Sequence, residues 1–113
     1  MSEVRTAPVE ATHIPDKAAF QADFCTGRVA GSFRVTDPDA DGDQTFWYVC
    51  PCGCGSLAPL TVGNGFKPAS TPSWKWNGSL ERPVLSPSVH HVGHWHGWLG
   101  GSDGSQPGMW ISC

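Results

Sequence analysis

The sequence predicts a small, mostly-β antiparallel domain, a sandwich or partly open barrel with at most one short N-terminal helix. Three observations predict it. The chain has 113 residues, one domain's worth. After Gly27 its apolar residues recur with period two in short β-branched and aromatic runs, and no stretch supports a helix of three turns. Gly and Pro make up 24 of the 113 residues, enough to punctuate the chain with turns, while six Trp and five Phe argue against disorder.

Residues 1–15 are polar and Pro-punctuated and read as an arm or tail; residues 16–113 read as the single domain. Residues 16–24 suit one short helix, with Asp16 as N-cap, Phe20 and Phe24 on one face, and Gly27 as the stop. Phe33 and Val35 alternate within residues 31–36, and residues 45–50 (TFWYVC) form a β-branched and aromatic run, so the two predict a hairpin across the acidic connection DPDADGD. Residues 56–62 read as a further strand, which Pro59 demotes to an edge or an irregular strand. Trp74 and Trp76 share one face ahead of an Asn77-Gly78 turn. Pro83 and Pro87 keep residues 83–92 extended, and residues 94–99 and 109–113 read as two final strands.

Seven basic residues stand against ten acidic ones, and the basic ones are scattered. A nucleic-acid binder shows a clustered basic footprint, so no nucleic-acid partner is expected. No apolar run approaches the ~18 residues of a membrane span, which argues against a membrane partner. The N-terminus has no apolar signal-like core, so secretion by a signal peptide is not expected.

The densest chemistry is Cys50-Pro-Cys52-Gly-Cys54-Gly. Thiolates two residues apart, with Gly allowing a tight turn, converge on one ion, and zinc takes four sulfur or imidazole ligands in a tetrahedron. The remaining ligands come from His90, His91, His94, His96 or Cys113. If the last two strands form an antiparallel hairpin, one register sets His96 opposite Cys113, with Cβ atoms about 4.5–5.5 Å apart. The expected set is therefore Cys52, Cys54, His96 and Cys113, with Cys50 and His94 in reserve. Which of the three clustered cysteines stands outside, and whether His94 or Cys113 is the fourth ligand, stays open. Such a closed site is structural Zn2+. Cys25, isolated in sequence, reads as a buried thiol beside Phe24.

The Cys50–Gly55 run, the stretch from Trp74 through Ser88 (WKWNGSLERPVLSPS) and His96-Gly-Trp-Leu together resemble the motifs of the DUF6527 family, small phage- and prophage-associated proteins of unknown function. The resemblance covers about residues 44–113 and implies a zinc site and a phage-type origin. Family members often carry a further Cys just before the His; here Gly93, His94 and Trp95 occupy those positions.

Other features have quieter readings. Asp37, Asp39, Asp41 and Asp43 match the first half of a calcium loop, but Tyr48 stands where the bidentate Glu belongs, so a solvated acidic turn is expected rather than a weak Ca2+ site. Trp74, Trp76, Trp95, Trp98 and Trp110 read as core ahead of a binding groove. Ser86-Pro87-Ser88 reads as a turn with no base around it, so no serine nucleophile is expected. The functional expectation is a non-enzymatic, zinc-stapled interaction module with a host or phage protein partner, acting in the host cytoplasm. The alternatives are a minor virion component, for which homo-oligomerisation would be natural, and a metal-dependent hydrolase using His90 to His96.

Overall fold

The computed structural model describes residues 5–20 and 28–113. The expected mostly-β architecture is present as two sheets. One has the order β1 (Val9–Glu10), β9 (Met109–Ser112), β8 (Trp95–Leu99), β7 (Val89–His91). The other runs β2 (Phe33–Val35), β3 (Asp43–Val49), β4 (Leu57–Asn64), β5 (Trp74–Trp76), β6 (Leu85–Ser86). A single turn of helix, α1 (Lys17–Phe20), precedes the second sheet, with the Asp16 carboxylate accepting the Ala18 N–H as an N-cap does. Phe24, Cys25 and Gly27, which the sequence assigns to the helix, a buried thiol and the helix stop, lie outside the described residues.

The predicted hairpin joins β2 to β3, with Phe33 paired to Tyr48 and Val35 to Phe46. Two features depart from the expected pattern. The β4–β5 pair is parallel, so the second sheet is mixed. Pro59 sits inside an eight-residue strand with a neighbour on each side in the sheet order. The reason is local: β5 pairs only with Val62 and Asn64, so the half of β4 that holds Pro59 has β3 alone as its partner. Residues 9–10, within the stretch expected to be an arm, pair with β9 at Trp110 and Met109.

The core between the sheets is aromatic. Phe33 stacks on Phe46 with centroids 4.7 Å apart, Phe46 meets Trp76 edge-on, and Trp95 stands at 88° to Trp110. Each buried indole N–H finds an acceptor: Trp110 on Gly31 O, Trp95 on Thr6 Oγ1, Trp76 on Ser79 O. Trp76, Trp95 and Trp110 are thus core, whereas Trp74 and Trp98 are only half-buried.

Gly97 in β8 has no room for a side chain. A Cβ there would overlap the Ile111 carbonyl of β9 and the Trp95 ring. Because the first obstacle is backbone, Gly97→Ala should cost about 2–3 kcal/mol. A thermal melt should show Tm lower by roughly 10 °C or more; a shift under about 2 °C would mean β8 and β9 separate more freely than this packing allows.

Candidate active site and metal site

The strands β7, β8 and β9 decide which side chains meet. In β7 and β8, Val89 pairs with Gly97 and His90 with His96. In β8 and β9, Gly97 pairs with Ser112 and Trp98 with Ile111. Opposed residues share a face and neighbours along a strand alternate. Val89, Trp95, Gly97, Leu99 and Trp110 are buried and face the core. The outer face therefore carries His90, His96 and Trp98, with Ser88, one residue before β7, falling opposite Trp98. Cys113 falls opposite His96 on that face, its N–H donating to His96 O at 2.8 Å, as the expected register required.

Ser88 and His96 are diagonal neighbours on this face, and their side chains close the gap: Ser88 Oγ lies 3.2 Å from His96 Nε2. The His96 ring is flanked by His90, 4.6 Å away between centroids, and by Trp98, nearly parallel to it at 6.5 Å. The backbone of Ser88 is also held, because the Trp74 indole N–H donates to its carbonyl at 3.0 Å. Beside Ser88 opens a cleft of about 460 Å³, lined by residues 84–88, Trp98 and residues 101–104. The expectation that no base stands near Ser88 is therefore corrected. One signal could have found the pair. The arithmetic that set His96 opposite Cys113 also applies to a hairpin turning at residues 92–94, and it puts Ser88 beside His96.

The three clustered cysteines occupy the connection between β3 and β4. Cys50 N–H donates to Ser56 O and Gly53 N–H to Cys50 O, and Gly53 and Gly55 adopt positive φ of 87° and 83° to close the turn. Cys50, Cys52 and Cys54 Sγ atoms all lie within 4.8 Å of one another, with Cys50 and Cys52 at 3.3 Å. Burial pushes the Cys50 thiol up. At Cys54 burial also acts upward, but hydrogen bonds from the Ser56 side chain and backbone, and from the other two thiols, bring it below its ordinary value. Tyr48 is pushed up by burial and then by the charges of all three cysteines. Its hydroxyl meets His91 Nδ1 at 3.3 Å. His91 is opposed to buried Trp95, so it lies on the face opposite to His96.

Of the expected ligands, Cys52 and Cys54 thus come together with Cys50. His96 and Cys113 are opposed to each other as anticipated, but on the outer sheet face, and neither joins the thiol group among the described residues. His94 stands beside His91, with ring centroids 4.9 Å apart. Three thiolates converging on one point can hold a metal ion. A second group, Asp39, Asp41 and Asp43, brings carboxylates together in the acidic turn. There the Asp39 carboxylate accepts the N–H groups of Asp41 and Asp43, as in a backbone turn.

Residues 20–104, three quarters of the chain, match the family model of BubE, the bacterial ubiquitination-like system serine protease. The chain belongs to the BubE family. No curated protein and no solved structure matches it. Membership overturns the resemblance to DUF6527 phage proteins of unknown function, and with it the phage and virion settings. It overturns equally the expectation of a non-enzymatic interaction module, since the BubE family is described by a proteolytic activity. The physical source of that error is Ser88. In sequence it belongs to a proline turn, yet the fold supplies an imidazole at hydrogen-bond distance. The matched segment holds Ser88, His96 and all three clustered cysteines, and ends before Cys113.

Proposed function

We propose that this member of the BubE family is a serine protease whose nucleophile is Ser88 and whose general base is His96. The observation that carries the reading is the 3.2 Å approach of His96 Nε2 to Ser88 Oγ at the edge of a cleft. A serine hydroxyl is a weak nucleophile until a base takes its proton. His96 Nε2 accepts that proton as Oγ attacks the scissile carbonyl, then returns it to the departing amine, leaving an acyl group on Ser88. Water enters, His96 takes one of its protons as the oxygen attacks the acyl carbon, and His96 returns that proton to Ser88 Oγ as the acyl group departs as a carboxylic acid. Trp74 anchors the nucleophile's backbone through its indole N–H. The substrate is a protein belonging to a ubiquitination-like system, a protein partner that the acidic balance and scattered basic residues permit.

In this reading Cys50, Cys52 and Cys54 supply three of the four ligands of a structural Zn2+. The metal pins the β3–β4 turn, while the chemistry runs on the opposite side of the β7–β9 sheet.

A neutral fluorophosphonate tests the assignment. Wild type should gain one adduct, mapped by mass to Ser88. Ser86→Ala should still be labelled, and Ser88→Ala should not. An adduct on another residue, or labelling of Ser88→Ala, would remove Ser88 from the role. Trp74→Phe keeps a ring but deletes the donor to Ser88 O. Turnover should fall about tenfold with KM and Tm little changed; an equal loss in KM alone would make Trp74 part of the substrate wall instead.

A further inference from the structure

The cleft beside Ser88 carries information about the side chain it accepts. Among its lining residues Asp103 is the sole ionisable side chain. Its carboxylate is fixed rather than free to swing, because Oδ1 accepts the Ser105 N–H at 3.0 Å. Hydrogen bonding from Ser105, first from its side chain and then from its backbone, holds the carboxyl below its ordinary range, so it stays ionised. Gly101 faces it at positive φ and adds no side chain of its own: a Cβ there would lie 3.8 Å from Asp103 Oδ1 and 3.5 Å from Gln106 Nε2, the neutral amide on the same side. Trp98, opposite Ser88 in register, contributes a half-buried indole to the same cleft, and Val84 and Pro87 contribute aliphatic wall.

A fixed anion, an indole and an aliphatic wall are the three elements that recognise a long cationic side chain. The carboxylate meets the charge, the indole adds its π-attraction, and the apolar wall takes the methylene stem. We propose that Asp103 and Trp98 form a specificity site for an arginine or lysine side chain on the residue that donates the scissile carbonyl. That residue is the one assigned because it stays bonded to Ser88 through both acylation and deacylation, so holding its side chain assists both steps. The cleft's volume of about 460 Å³ lies in the range that takes one large side chain with room for its backbone. A substrate with Asp or Glu at this position meets like charge and is disfavoured.

This inference rests on Ser88 being the nucleophile, and the experiment separates the two. Two peptidyl diphenyl phosphonates are compared on the full-length chain, one with an arginine side chain at the reacting position and one with citrulline. Citrulline has the same shape with a neutral urea in place of the guanidinium. Each reacts by forming a bond from Ser88 Oγ to phosphorus as phenol departs with the serine proton. A neutral fluorophosphonate serves as the reference. Wild type should be inactivated about tenfold faster by the arginine compound, a ratio set by one exposed ion pair and one cation–π contact. Asp103→Asn keeps the Ser105 hydrogen bond and should bring the ratio below about threefold. If the fluorophosphonate labels Ser88 while the two phosphonates react equally, or not at all, the specificity site is overturned and the nucleophile stands. An Asp103→Asn variant that keeps the full ratio overturns the specificity site in the same way. If no reagent labels Ser88, the nucleophile and the specificity site fall together.

Discussion

Ser88→Ala should lower kcat/KM on a protein substrate of the ubiquitination-like system by on the order of 10⁵-fold, and His96→Ala by a similar factor. The double variant should be no worse than either single one. A nucleophile and its base act as a unit, so removing one leaves nothing for the other to assist. Each factor of ten corresponds to about 1.4 kcal/mol of barrier, so the loss is about 7 kcal/mol of transition-state stabilisation. The change should be confined to chemistry. Both residues are half-buried on the outer face of the β7–β9 sheet and neither fills the core, so Tm should move by no more than about 3 °C. Cys113 supplies the control. It lies opposite His96 on the same face and is exposed, which makes it the competing nucleophile. Cys113→Ser should leave activity intact. Additive losses in the double variant, or activity that follows Cys113, would show that the Ser88–His96 hydrogen bond is a surface contact without a catalytic role.

The strands were legible in the sequence and the site only half so. Period-two runs with Gly and Pro between them located β2, β3, β5, β8 and β9, and simple register arithmetic placed His96 opposite Cys113, as the structure has it. What the arithmetic lacked was the face. His96 and Cys113 share a side of the sheet, but alternation along β8 puts that side away from the core that Trp95 and Leu99 enter. The cysteine turn, by contrast, packs against the core cluster that includes Tyr48, whose hydroxyl reaches inward to His91. Which face is buried depends on packing against the second sheet, and no local pattern encodes that.

Ser88 was hidden for a related reason. Preceded by Ser86 and Pro87 in a turn-forming run, it carries no local mark of a nucleophile. Its base arrives from β8 through the reversal at residues 92–94, where Gly93 adopts a positive φ of 80°. Pro59 shows the converse. Its penalty is plain in the sequence, but it applies only where a second neighbour needs the N–H, and β5 is too short to reach it.

Removing the metal should have the largest effect on stability. One metal ion per chain is expected in untagged protein, and extraction by a strong chelator should unfold it or lower Tm by more than about 20 °C. The magnitude follows from comparison: a structural zinc supplies on the order of 10 kcal/mol, while a domain's whole stability is about 5–15 kcal/mol. The dependence should be strongest here because the turn's other ties are three hydrogen bonds, Cys50 N–H to Ser56 O, Gly53 N–H to Cys50 O and Arg28 Nη1 to Gly55 O. Two of its residues are glycines at positive φ, and Cys52 and Cys54 are only half-buried. Substituting any one of Cys50, Cys52 or Cys54 by Ser should lose the metal and reproduce the chelated melt. His96→Ala and Cys113→Ser should both keep it, since their side chains stand on the other side of the sheet. Acidification should release the ion as well, because protons compete for the thiolates, so retention falls as pH falls. Activity should disappear with the fold rather than ahead of it. Activity lost on chelation while Tm holds would move the metal from the β3–β4 turn into the chemistry at Ser88, and a metal-free chain with an unchanged melt would return the three cysteines to ordinary packing.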